Sequence, residues 1–204
     1  MDMRTKHAAS ILIHFLVIAT LLSGCIDKPK KTQGKEDVVI LPITEIPDIV
    51  ETTGKVGDGT SMNVLELVDD SGDTLLINVP VSTITGGAES GDDIDIIYTV
   101  TSNGDMTASV AINLTALQHL WTQPDGKGGM QSLELNSNGK AATYNMTIEY
   151  DSWKLENGML LLHSPKVIGE EKGEIVDTFH IMKLTDDELV LMSHEMESVF
   201  KRSN

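Results

Sequence analysis

The sequence predicts an all-β chain: a small five-stranded barrel, then an antiparallel meander that curls into a second barrel. Three observations predict it. The candidate elements are short, rich in Val, Ile, Leu and Thr, and bounded by turn residues. Asn138-Gly139 and Asn157-Gly158 are two-residue turns of the kind that join neighbouring antiparallel strands. Apolar residues make up 40% of the 204 residues and aromatics only 4%, so the cores must rest on Val, Ile, Leu and Met. That length permits one or two domains.

The first 24 residues read as an address label. Arg4 and Lys6 precede an apolar run, Ile11 to Leu22, broken only by His14 and Thr20. The run falls short of the roughly 20 residues of a membrane span and suits the apolar region of a signal peptide. Leu22-Ser23-Gly24-Cys25 follows at once. This string resembles the lipobox of bacterial lipoproteins. The resemblance implies that Cys25 carries a diacylglycerol, that cleavage occurs just before it, and that the new amino group is acylated. A buried Cys in an N-terminal helix is the competing reading; the order and spacing of charge, apolar run and box favour the lipobox. Cys25 is the only cysteine, so neither an intrachain disulfide nor a thiol-rich metal cluster is expected.

Two or three acyl chains anchor firmly, at about 0.8 kcal/mol per buried CH₂. Residues 25–48 are then a lipid-anchored tether, with Lys28, Lys30, Lys31 and Lys35 near the lipid and Pro29 and Gly34 keeping it irregular. Ile26 stands where enteric lipoproteins held in the inner membrane carry Asp. The expected location is therefore the bacterial cell envelope, at the outer membrane facing the periplasm.

The formal net charge is −16, and from Glu36 to Ala116 the only basic side chain is Lys55. Such a surface repels phosphate backbones, so nucleic acid is not an expected partner.

Residues 49–116 form the first expected domain. Ile49–Val56 is its first strand. In Met62–Val68, Asn63, Leu65 and Leu67 alternate with Val64, Glu66 and Val68. Asp69-Asp70-Ser71-Gly72-Asp73 turns the chain into Thr74–Val79. A Gly-rich connection, Val81–Ser90, precedes a last hairpin of Ile94–Thr101 and Met106–Leu114 across Ser102-Asn103-Gly104-Asp105. Five strands with a longer connection between the third and fourth resemble an OB-fold barrel. Oligonucleotide binding does not carry over, because only Tyr98 and almost no positive charge are present.

Residues 117–204 form the second. Met130–Leu135, Ala141–Tyr150, Ser152–Leu155 and Met159–His163 are expected strands. A polar loop, Ser164–Lys172, separates them from Ile175–Leu184, Leu189–His194 and Glu197–Arg202. Trp121, Asp125-Gly126, Gly129-Met130, Asn138-Gly139-Lys140-Ala141, Trp153, Leu160-Leu161-Leu162, Asp177-Thr178-Phe179-His180-Ile181 and Leu189-Val190-Leu191 resemble the lipocalin-like domain of bacterial envelope lipoproteins. The resemblance implies a barrel in which Trp121 closes the base with Lys201 or Arg202 stacked on it. The pairing of two such domains also resembles certain envelope-stress and copper-homeostasis lipoproteins. Their Cys-x-x-Cys pair is absent, so their metal site does not transfer.

Candidate sites outside the lipid attachment at Cys25 are few. His180 and Met182 share one face of an expected strand, and Met192, His194 and Met196 alternate onto one face of the next. Thioether and imidazole ligands suit Cu(I), although Met also fills cores and His often sits at a barrel rim. The Asp69–Asp73 run has calcium-binding chemistry but lacks the distal Glu and spacing of an EF-hand loop, and reads as a hairpin turn. No catalytic motif is recognisable and no cofactor is expected. The expected function is a non-catalytic binding or scaffold module that holds a small apolar ligand in the second barrel. The alternative is an envelope-stress or metal-homeostasis sensor that contacts another envelope protein.

Overall fold

The computed structural model describes residues 46–80, 82–168, 171–194 and 196–203. The expected signal peptide, Cys25 and the tether as far as residue 45 lie outside the described residues.

The chain is nearly all β, as the patterning predicts. The first sheet contains β1 (Asp48–Val56), β2 (Val64–Asp69), β3 (Thr74–Asn78), β4 (Ile84–Thr85), β5 (Asp93–Val100) and β6 (Met106–Asn113). Its order is β3-β2-β1-β5-β6, and a parallel contact between β3 and β6, Asn78 opposite Thr107, closes five strands into a barrel. Asn78 reinforces that seam by donating from Nδ2 to the Met106 carbonyl at 3.0 Å.

β1 serves two neighbours: Asp48–Lys55 runs along β5, and Gly54–Val56 also pairs with β2. The crowding explains Gly54, where a Cβ would stand 2.6 Å from the Val68 carbonyl oxygen. Leu65, Leu67, Ile77, Ile94 and Ile96 face inward and are fully buried, at the alternating positions a half-buried strand requires. The connection expected at Val81–Ser90 is not wholly irregular. Ile84 and Thr85 form a short parallel ladder on Ala111 and Ile112 of β6.

A single helical turn, α1 (Leu114–Leu117), follows β6 where the sequence reading extends a strand to Leu114. Asn113 causes the break. Its Oδ1 accepts from the Ala116 amide at 2.9 Å, which caps the turn.

The second sheet holds eight antiparallel strands: β7 (Leu120–Pro124), β8 (Met130–Leu135), β9 (Ala141–Tyr144), β10 (Ser152–Glu156), β11 (Met159–Ile168), β12 (Glu171–Leu184), β13 (Glu188–Ser193) and β14 (Met196–Arg202). Their order is β10-β11-β12-β13-β14-β7-β8-β9. The last strand meets the first of this sheet, Arg202 opposite Trp121 and Lys201 opposite Thr122. Between β9 and β10 the seam is held by one bridge, Lys140–Ser152, and by flanking bonds from Ala141 N to Asp151 O (3.0 Å) and Trp153 N to Gly139 O (2.8 Å). The result is a nearly closed barrel.

Two expected boundaries shift. The strand expected over Ala141–Tyr150 leaves the sheet after Tyr144, because Asn145 adopts a left-handed conformation (φ 58°) and donates from Nδ2 to the Met130 carbonyl at 3.0 Å. The polar loop expected over Ser164–Lys172 is instead part of a long β11–β12 hairpin, paired from Ile168–Glu171 to Leu160–Phe179. Pro165 fits there because β10 ends opposite His163, so this stretch of β11 needs no ladder bond on that side.

The described residues belong to one compact unit. Ile112 and Leu117 join the core of the second barrel, and the Asn157 amide donates to Glu51 Oε1 of β1 at 2.9 Å.

Candidate ligand-binding cavity

The second barrel encloses a cavity of about 330 Å³ with a mostly apolar wall. Period-two alternation builds that wall: Leu133, Leu162, Leu191 and Phe200 come from four different strands and are all buried. Phe179 and Met146 extend it. The register orders the cavity from end to end. Trp121 stands opposite Leu133 and Arg202, whereas Gln123 opposite Gln131, and Ser193 opposite Met196, lie toward the other end.

Trp121 is fully buried. Its indole Nε1 donates to the Leu117 carbonyl at 2.8 Å, and the edge-to-face ring against it is His119, with centroids 6.0 Å apart. The expected basic partners lie close in register, but Lys201 instead joins Lys183 in pairing with Glu188. Those two ammonium groups hold the Glu188 carboxyl down to about 2.

At the opposite end, Met196 and Ile148 are exposed at the mouth. Beneath them sits one polar pair. Tyr150 Oη donates to Asp177 Oδ2 at 2.6 Å. Tyr150 is buried, and its phenol is pushed far above its ordinary range, first by burial and then by the bond to Asp177 and that carboxylate's charge. Asp177 is the only charged side chain in the cavity wall among the described residues. Sequence reasoning missed both members. The available signal was a carboxylate at an alternate position before Phe179 and Ile181, on the side of β12 that there faces the core.

The structure places the five expected soft-metal candidates on β12, β13, β14 and the turn between the last two. His180 and Met192 are direct partners across β12 and β13, on the face opposite the inward Leu191. Met182 is exposed, beside a register irregularity between Ile181 and Lys183. The expected alternation of Met192, His194 and Met196 along one strand is corrected, because the chain reverses after Ser193. His194 lies in the turn with φ 52°, and Met196 returns on β14 opposite Ser193, at the cavity mouth. Among the described residues no three His, Cys, Asp or Glu side chains form a metal-holding group. In the Asp69–Asp73 turn, Asp69 Oδ1 accepts from the amides of Ser71 and Asp73, both at 2.9 Å. Those bonds, that from Asp73 foremost, lower its carboxyl below the usual range.

A second hollow, about 280 Å³, lies between the barrels and is lined by Asp95, Gln118, Ser137, Trp153 and Lys154. Asp95 is buried and its Oδ2 has no hydrogen-bond partner. Burial, and next the charge of Glu51, raise its carboxyl to about 6.

None of the curated proteins matches this chain. A crystal structure of a lipocalin-like protein from Bacteroides thetaiotaomicron VPI-5482 is 33% identical over 43% of this chain and 97% of that chain, with a TM-score of 0.37. A family model described as lipocalin-like matches residues 113–203, which span α1 and all eight strands of the second barrel. Residues 113–203 of this chain are a lipocalin-like domain.

Proposed function

We propose that this chain is a membrane-anchored bacterial envelope lipoprotein whose second barrel is a non-catalytic module that binds a small apolar ligand. The observation that carries the reading is the cavity of about 330 Å³, walled by buried Leu and Phe side chains. That volume lies at the small end of the range for ligand pockets, its wall is more apolar than polar, and Asp177 is the one charged side chain among the described residues of that wall. The first barrel, in this reading, is an OB-like spacer or second docking surface. Its strand order with a parallel closing pair supports that likeness. Tyr98 is buried inside it and Lys55 is the sole basic side chain from Glu36 to Ala116, which argues against a nucleic-acid surface.

The anchor rests on the Leu22-Ser23-Gly24-Cys25 string and the apolar run before it. Ile26, rather than Asp, directly after Cys25 supports the outer membrane, facing the periplasm. Native mass spectrometry of the full chain purified from its own host tests the ligand: a bound species of constant mass is expected, and its absence from freshly prepared protein argues against the reading. Cys25→Ser tests the anchor. The variant should carry no lipid and keep its first 24 residues; membrane retention with cleavage at the same point overturns the lipid assignment.

A further inference from the structure

We infer that the barrel cavity is built for an apolar molecule with a cationic head, an alkylammonium in the simplest case, and that Asp177 receives that head. The inference rests on the reading of the cavity as a ligand site and names the class of ligand it selects.

Among the described residues the cavity wall carries one formal charge, and it is negative. Tyr150 is the natural hydrogen-bond donor beside it, but its hydroxyl proton is already committed to Asp177 Oδ2 at 2.6 Å. A buried phenol in that position keeps its proton, so it orients the carboxylate and leaves the other oxygen, Oδ1, to accept from a ligand. An incoming fatty carboxylate would face Asp177 with no Lys, Arg or His among the described residues of the wall to offset the repulsion. An ammonium group would replace lost hydration with a charge-assisted hydrogen bond to Asp177. Met146 and Ile148, on the segment that leaves the sheet after Asn145, and Phe179, two residues from Asp177 on β12, place apolar surface beside the carboxylate for the alkyl body. The chain's net charge of −16 draws any cation to the surface, so selectivity must be read as a change caused by one buried residue.

The test is isothermal titration calorimetry on the full chain in zwitterionic nanodiscs, corrected against empty nanodiscs, with octylammonium, octanoate and octanol as probes. Octylammonium is expected to bind about tenfold or more tightly than octanoate, the effect of one desolvated charge-assisted bond. Asp177→Asn retains an acceptor for Tyr150 and should fold. It is expected to weaken octylammonium about tenfold and leave octanol within about threefold. Octanoate binding as tightly as octylammonium, or an unchanged preference in Asp177→Asn, overturns the inference while octanol binding keeps the ligand-site reading intact. If none of the three probes binds the wild-type chain, the inference and that reading fall together. The wild-type comparison decides the matter even if the variant does not fold.

Discussion

Gly86, in the first barrel, lies directly against Leu184 of the second: a Cβ at Gly86 would stand 2.8 Å from Leu184 Cδ2. Gly86 also has φ 93°, a conformation costly for any residue with a Cβ. Gly86→Ala should therefore destabilise the chain by about 1–3 kcal/mol. Urea unfolding measures this. Leu184→Ala in the same chain should relieve part of the clash, leaving Asn113 Cβ at 2.9 Å, so the double variant should fall short of the sum of the single losses.

Asn113 ties the same junction together. Its Nδ2 donates to Gly86 O (3.3 Å), Gly87 O (3.1 Å) and Asp92 Oδ2 (2.7 Å), while its Oδ1 caps α1. Asn113→Ala should cost about 2 kcal/mol or more, because buried acceptors lose their donor together with a helix cap. Asn113→Asp should do worse than Ala at neutral pH, since its carboxylate would face the Asp92 carboxylate with no proton to offer. The order of the two variants by chemical denaturation checks this.

Asp95 predicts a pH dependence. Its carboxyl is raised to about 6 in the folded chain, against an ordinary value of 3.8. Between these values the folded state holds more protons than the unfolded state, so stability falls as pH rises from about 4 to about 6 and stays lowered above. The loss reaches at most about 3 kcal/mol. Asp95→Asn should flatten this slope and leave the variant more stable than the wild type at pH 7. Denaturation midpoints measured across this pH range would refute the prediction if the two chains ran parallel.

Trp121 closes the end of the second barrel away from Met196. Trp121→Phe keeps most of the apolar volume but leaves the Leu117 carbonyl without its indole donor, at a cost of about 1–2 kcal/mol. Trp121→Ala should cost about 3–5 kcal/mol, because nothing else fills that volume. Thermal unfolding followed by circular dichroism separates the two.

The linear pattern determined the strands whose neighbours are close in the chain. Thr74–Asn78, Met130–Leu135 and the hairpins turned at Ser102–Asp105 and Asn157-Gly158 stand where alternation and turn residues put them, because both signals are local. The ends of elements were less legible. Asn113 ends β6 by capping α1 while the fold brings Gly86 and Gly87 to its amide, and Asn145 ends β9 with a bond to Met130 of β8. The β11–β12 hairpin runs on through polar residues because ladder bonds hold it.

What tertiary structure alone decided is the chemistry of the interior. Alternation puts Asp177 on the same side of β12 as Phe179 and Ile181, but Tyr150 lies in no strand, 27 residues away, and only barrel closure brings their oxygens to 2.6 Å. The same closure sends Met196 to the cavity mouth and His180 with Met192 to the opposite face. Local pattern sets which way a side chain points; which side chains meet depends on register around a closed sheet, and that is summed over every strand at once.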